Sequence, residues 1–388
     1  MSNVPEGYKQ TEVGVIPEDW EVKKLGQICN KFLNGGTPST IKAEYWSGNI
    51  PWISGADIVN QKITEIRRFI SEDAVKNSST NIVENGNLLL VTRTGVGKMT
   101  VAPFDIAISQ DLTGIYVKNE DVDTEYLFRY FDFNSAVLKS LNQGTSIAGI
   151  TRETLTSTPI PLPPTKEEQQ AIASALSDVD ALITALEQLI TKKRNIKKGA
   201  MQQLLTGKKR LPGFGGEWKV KKLGEMLKVK HGKSQQSVND ENGLYPILAT
   251  GGEIGRADTF LYDKPSVLIG RKGTIDVPQY METPFWTIDT LFFTEIFDNT
   301  NPKFIFYKFN IIDWYSYNES SGVPSLNAST IEKIELPFPP TIKEQQAIAQ
   351  ILSDMDTEIE ALEQKQNKYK AIKQGMMQEL LTGKTRLV

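Results

Sequence analysis

A lysine close behind two glycines, Gly95-Val96-Gly97-Lys98, has the beginnings of a phosphate cradle. The P-loop pattern G-x-x-x-x-G-K-[ST] is not met, however, and Met99 stands where a hydroxyl should reach magnesium. The run PEDWEVK at residues 17–23 offers the carboxylates and lysine with which metal-dependent nucleases hold a metal and polarise a phosphate. Its carboxylates are crowded together, and a later copy of the segment replaces Glu21 by Lys219, which fits a surface role better. Asn301-Pro302-Lys303-Phe304 approaches the N-P-P-[FY] site of amino-methyltransferases but lacks the second proline and a preceding glycine-rich cofactor strand. The chain has one cysteine, Cys29, and one histidine, His231. No disulfide can form within it, a Cys/His zinc site would lack most of its roughly four ligands, and with a single histidine far from Cys29 most Cys-His and Ser-His-Asp catalysis is excluded or strained. Cys29 reads as a small buried hydrophobe. These residues point to recognition rather than catalysis.

The side chains suited to recognition sit on turns. NLLLVTRTGVGK (residues 87–98) and SVLIGRKGTI (residues 266–275) each read as an apolar strand running into a glycine loop that carries an arginine. Aligning Arg93-Thr94-Gly95 with Arg271-Lys272-Gly273 also brings Asp111 onto Asp289 and Gly144 onto Gly322. Each segment is opened by W-x-V-K-K-L-G, at Trp20 and at Trp218. The two stretches are diverged copies of one α+β domain with short strands and glycine turns.

A second repeat is far better kept. From Pro163 and from Pro339 the chain writes P-P-T-x-x-E-Q-Q-A-I-A twice, and well over half of the positions stay identical as far as Leu211 and Leu387. Each copy starts with a T-x-x-E capping box, Thr165 with Glu168 and Thr341 with Glu344, in which each side chain can satisfy the other's exposed N–H. Apolar residues then alternate four and three apart, as a coiled-coil seam requires: Ile172, Leu176, Val179, Ile183, Leu186 and Ile190, and in the second copy Ile348, Leu352, Met355, Ile359 and Leu362. Each helix should run about 40 residues, roughly 60 Å, to the LLTGK sequences, where Gly207 and Gly383 suit the C′ position. Two matching amphipathic helices in one chain pair most simply with each other. Copy two carries Glu358, Lys365 and Gln366 where copy one has Leu182, Leu189 and Ile190, so their surroundings differ. The run KKRNIKK (residues 192–198) either offsets the helix dipole in solvent or contacts a partner or a polyanion.

At 388 residues the chain has room for two or more domains. Its 39% hydrophobic content and balanced charge are those of a globular protein, not of a disordered or disulfide-stapled one. A net charge of −3 argues against a uniformly basic coat and leaves local basic faces open. The first residues lack a basic n-region and an apolar h-region, and no run of about 18 apolar residues occurs. A cytoplasmic protein without membrane partners is expected.

In this order, globular, helical, globular, helical, the chain resembles the specificity subunit of Type I restriction-modification enzymes. The residues that carry the resemblance are the opening GYKQTEVGVIPEDWEVKKLG, both P-x-P-P-T-x-x-E-Q-Q-A-I-A-x-x-L-S-D-x-D segments, both LLTGK ends and the turns at Arg93 and Arg271. It covers essentially the whole chain. The resemblance implies two target recognition domains, each reading half of a split, asymmetric DNA site, joined by helices that act as a ruler and hold the partner subunits. The implied layout is 1–158 for the first recognition domain, 159–212 for the central helical region, 213–334 for the second recognition domain and 335–388 for the C-terminal helical region. The fold class is α+β, with two α/β recognition domains alternating with two long helices that pair as an antiparallel coiled coil with pseudo-two-fold symmetry. Half-sites on one side of B-DNA would lie about one turn, roughly 10 base pairs, apart.

Double-stranded DNA, two methyltransferase subunits and restriction/translocase subunits are the implied partners. S-adenosylmethionine, ATP and Mg2+ would belong to those subunits, leaving this chain without cofactor, metal or catalytic residue. Arginine suits guanine edges and Asn or Gln adenine, whereas Lys, Ser and Thr mostly position phosphates. The DNA-contact candidates are therefore Gly36, Thr37 and Ser39 in the GGTPS loop (residues 35–39), with Arg93, Lys98 and Gln110. In the second domain they are His231, Lys233 and Gln235 in HGKSQQ (residues 231–236), with Arg271 and Lys272. The helix-pairing candidates are Ile172, Leu176, Val179, Ile183, Leu186, Ile348, Leu352, Met355, Ile359 and Leu362. A coiled-coil scaffold that binds only proteins, and a standalone methyltransferase or nuclease, are the competing readings.

Overall fold

The structure, a computed structural model, describes residues 4–141 and 149–387; Gly144 lies outside the described residues. The chain folds into two compact units, Met1–Ala185 with Gln366–Val388, and Leu186–Lys365. Each unit contains one globular domain and takes part of both helical repeats. No helix among the described residues is long and apolar enough to cross a membrane.

The repeats form two 39-residue helices, Lys166–Leu204 and Ile342–Leu380. Their starts are capped by threonine: Glu168 N–H donates to Thr165 Oγ1 (3.2 Å) and Glu344 N–H to Thr341 Oγ1 (3.3 Å). The other half of the capping box is corrected, because both glutamate carboxylates are engaged by arginine instead. Arg386 Nη2 donates to Glu168 (2.8 Å), and Arg210 Nε to Glu344 (2.6 Å). A buried carboxylate gains more from a charged fork than from one backbone N–H. Beyond the helix ends, Gly207 and Gly383 have φ of +73° and +71°, the left-handed conformation glycine adopts without penalty. A Cβ would also come within 3.0 Å of the Trp218 ring at Gly207 and within 2.5 Å of Pro17 at Gly383. Each LLTGK end is thus packed against a W-x-V-K-K-L-G opening.

Within the first unit, Glu168 pairs with Arg386 and Asp180 with Lys373 (2.8 Å). Within the second, Lys193 pairs with Glu358 (2.6 Å), Lys197 with Asp356, and Arg210 with Glu344. In both, residue numbers rise on one repeat as they fall on the other, so the segments run antiparallel. Along the seam Ile172, Leu176, Leu186, Ile348, Leu352 and Ile359 are buried, and Val179, Ile183, Met355 and Leu362 are half-buried. Ile172 and Leu176 enter the first domain's core beside Trp20, Leu25 and Tyr126, and Ile348 and Leu352 enter the second beside Leu223, Phe304 and Trp314. The start of each stripe is therefore used to seat a globular domain. Leu182 and Leu189 are exposed, as are Glu358 and Lys365, so those replacements in copy two fall on positions facing water.

The globular domains share the strand order of their main sheet. In the first, an antiparallel sheet has the order Met99–Val101, Leu88–Val91, Leu112–Val117, Cys29–Asn34. In the second, the order is Gln279–Met281, Ser266–Gly270, Leu291–Ile296, Leu227–His231. Leu88–Val91 and Ser266–Gly270 are buried at every position, as central strands covered on both faces must be. A second sheet contains a parallel pair in each domain, Ile50–Ile53 with Ile106–Ile108, and Tyr245–Ala249 with Trp286–Thr287. The strand formed by each W-x-V-K-K-L-G segment, Glu21–Lys24 or Lys219–Lys222, pairs with the proline-rich strand that leads into the long helix.

Strand register corrects one sequence equivalence. Val91 faces Leu112, and Gly270 faces Leu291. On the next residue, Thr92 N–H donates to Asp111 O and Thr92 O accepts from Ile150, whereas Arg271 N–H donates to Thr290 O and Arg271 O accepts from Leu326. Arg271 therefore corresponds to Thr92, and Arg93 to Lys272. By the same register Gln110, not Asp111, corresponds to Asp289. The copies differ by one residue in spacing, enough to turn a side chain to the opposite face.

Lys308, on the Pro302–Phe309 helix, is fully buried and donates to Leu205 O and Pro337 O, tying a helix end to the Glu335–Phe338 strand. Burial pulls its pKa down to about 7; a neutral amine still has two N–H groups, enough for both carbonyls. The unfolded chain keeps that proton to about pH 10.4, so between pH 7 and 10 unfolding takes up protons and stability rises with pH. Denaturant midpoints of the full chain at pH 7 and pH 9.5 should show this rise, and Lys308→Met should abolish its share.

Candidate nucleic-acid interface

In both domains a glycine loop leaves the last strand of the antiparallel sheet and lies flat on the neighbouring strand. At Gly35 an added Cβ would stand 2.3 Å from Ile108 O, and at Gly232 it would stand 2.0 Å from Ile288 O. Only glycine permits that approach. The following residue is pinned in the same way, with Gly36 N–H donating to Ile108 O (2.9 Å) and Lys233 N–H to Thr287 O (2.8 Å). A tryptophan then locks each loop from below: Trp52 Nε1 donates to Gly36 O (3.2 Å) and Trp286 Nε1 to Lys233 O (3.0 Å). These tryptophans come from different strands, so the two domains reach the same loop anchoring by different routes.

In the first domain the structure brings Arg93, Gln110 and the GGTPS loop together. Thr37 Oγ1 donates to Gln110 Oε1. Gly35, Arg93 and Gln110 line a cleft of about 290 Å³ with Asn34, Thr113 and Arg152. Arg152 had no motif to mark it; it starts the Arg152–Ser157 helix, and its guanidinium lies 5.3 Å from the Phe32 ring centroid. Ser39 lies exposed at the loop's far end, where its carbonyl accepts from Trp46 Nε1 (3.1 Å). Lys98 stands apart from the cleft and donates to Gly55 O (3.2 Å).

In the second domain, His231 ends the Leu227–His231 strand with its ring edge-on to Phe292, centroids 4.9 Å apart. Lys233 is exposed, and the Gln235 carbonyl accepts from Val238 and Asn239 N–H, closing the loop. Arg271 Nη1 turns back to Asp289 O (3.2 Å), while Lys272 is exposed. Arg93 and Lys272, equivalent by register, are thus both exposed cations. The KKRNIKK run is largely paired: Lys193, Arg194 and Lys197 meet Glu358, Glu363 and Asp356 in the same unit.

Each domain is clasped to its helices by the second aspartate of L-S-D-x-D. Asp180 accepts from buried Arg129 and pairs with Lys373, and Asp356 accepts from Tyr307 Oη (2.8 Å) and pairs with Lys197. Burial and this carboxylate push the Tyr307 phenol well above its usual range.

Residues 17–198 and 215–371 match the family described as Type I restriction modification DNA specificity domain. Among curated proteins, the Type I restriction enzyme MjaIX specificity subunit of Methanocaldococcus jannaschii is 34% identical over 62% of this chain and 60% of its own length. The MjaVIII specificity subunit of the same organism is 26% identical over 98% of this chain and 96% of its own length. The Type I restriction-modification S subunit from M. genitalium has the same fold, with a TM-score of 0.65 at 17% identity over 93% of this chain and 96% of that one.

Proposed function

The chain belongs to the family of Type I restriction-modification DNA specificity subunits, and from that premise we propose that it reads a two-part, asymmetric DNA site on behalf of partners that methylate and cleave. The observation that carries this reading is the pair of glycine loops, each pinned by a backbone carbonyl and a tryptophan in two domains with the same main-sheet order, with different side chains on each. Shared scaffolds with divergent tips suit two readers of different sequences. The repeated helices hold two copies of one partner, the methyltransferase subunit, and act as an antiparallel coiled-coil ruler between half-sites. Restriction/translocase subunits complete the complex. S-adenosylmethionine, ATP and Mg2+ act in those subunits, and adenine methylation and ATP-dependent cleavage are their chemistry.

The test is methylome sequencing of cells carrying this chain with its methyltransferase subunit, against cells with that subunit alone. A new two-part motif with methyladenine in each half is the expected result. A soluble complex that adds no motif and binds no DNA would favour a protein-binding scaffold.

Arg93 and Lys272 share a position but not a side-chain type, which suits phosphate contact better than base reading. Arg93→Ala should weaken DNA binding and lower the slope of log affinity against log salt by about 1, leaving the recognised sequence unchanged. A changed base preference would overturn that assignment.

A further inference from the structure

One carboxylate in the first domain holds two arginines, and no motif marked any of the three. Asp57, whose side chain is only 2% exposed, accepts Arg67 Nη2 on Oδ1 (2.6 Å) and Arg68 Nη2 on Oδ2. Ser54 adds its backbone N–H (2.8 Å) and its hydroxyl (3.0 Å) to Oδ2. Burial disfavours the Asp57 anion, but the Ser54 and arginine hydrogen bonds outweigh it and hold the pKa below the usual carboxylate range. Arg68 also donates to Ser54 Oγ (3.0 Å), and its guanidinium lies 4.5 Å from the Trp52 ring centroid.

Trp52 is the residue that locks the GGTPS loop, and the same turn at residues 54–57 takes Lys98 on Gly55 O. The cluster is therefore continuous with the candidate contacts. Among the described residues the second domain has no such device: in register, Leu248 corresponds to Ile53, and Ala249-Thr250-Gly251-Gly252 follows without a carboxylate.

A purely internal ion pair would need one arginine and would bury it. Arg67 is instead 57% exposed, and among the described residues only its Nη2 is engaged. Its remaining donors form a rigid fork, aimed by a carboxylate that Ser54 and Arg68 hold in place. Such a fork matches the O6 and N7 acceptors of guanine in the major groove, which a lysine cannot match in the same plane.

We propose that Arg67 reads a guanine in the half-site bound by the first domain, with Asp57, Arg68 and Trp52 as its positioning residues. The assignment rests on the two-part reading given above and deepens it. It also gives the two domains unequal chemistry, as an asymmetric site requires.

The test is the methylome motif of the complex carrying Arg67→Lys and, separately, Arg67→Ala. Lysine keeps the charge and removes the fork. The expected result is loss of one guanine requirement in one half-site, with preference at that position falling about 10- to 100-fold and the other half unchanged. If either variant stops methylation altogether while melting as the parent does, selection from DNA randomised in each half-site applies the same criterion. An unchanged motif in both variants would reduce Arg67 to a phosphate or structural role and overturn the proposal. A parent complex that yields no two-part motif would instead bring down the reading beneath it, so the two failures are distinct.

Discussion

Arg210→Ala should destabilise the second unit by about 3–5 kcal/mol, the cost of leaving a buried carboxylate without its cation. Glu344 is 1% exposed and accepts Arg210 Nε (2.6 Å), Arg210 Nη2 (2.8 Å) and Trp218 Nε1 (3.2 Å). Arg210 also donates to Gly215 O (2.9 Å), so it fastens the segment between the first long helix and the second domain as well. Position in the first turn of its helix softens the loss by only a fraction of this. Chemical denaturation of the full chain measures the effect, and Arg210→Ala with Glu344→Leu should recover much of it, because no charge is then stranded. The twin in the first unit is more exposed to damage. Arg386 grips Glu168 and Asp19 together, which pushes its own pKa further up, yet among the described residues Trp20 Nε1 finds no acceptor where Trp218 finds Glu344. Arg386→Ala should therefore cost at least as much. A loss below about 1 kcal/mol in both would mean that these arginines are ordinary surface pairs.

These arginines also show what the sequence could and could not tell. The helix ends were legible, because threonine caps and left-handed glycines act within a few residues of themselves. The strand–glycine–arginine pattern of each domain was legible for the same reason. That Glu168 belongs with Arg386, or Glu344 with Arg210, was not, since the capping box is a complete local explanation for each glutamate. The Arg93 and Arg271 match failed on a single residue of spacing, which similarity cannot detect and strand pairing fixes. Arg67 and Arg68 lie in a stretch without motif, and their role comes from a carboxylate ten and eleven positions away that burial made costly to leave alone.

The proposed ruler role of the helices makes the other large prediction, and the ion pairs decide how to test it. Removing residues 181–184 from the first long helix shortens it by about 6 Å and turns its C-terminal part by about 40°. Done alone, this shifts every later residue of that helix by a turn against the second. Lys193 and Lys197 would then leave Glu358 and Asp356, or Asp180 would leave Lys373. Loss of DNA binding is the expected outcome for that variant, and it speaks of helix pairing rather than of length. Asp180 and Lys373 fix which residues lie opposite, so removing 369–372 as well restores the pairing register. With both deletions the preferred spacer between half-sites should shorten by about two base pairs, from a rise of about 3.4 Å per base pair. Binding-site selection with randomised spacers reads this directly. A doubly deleted chain that binds as tightly as the parent with the parent's spacer would show that something other than helix length sets the distance, and the ruler would have to be sought in the partner subunits.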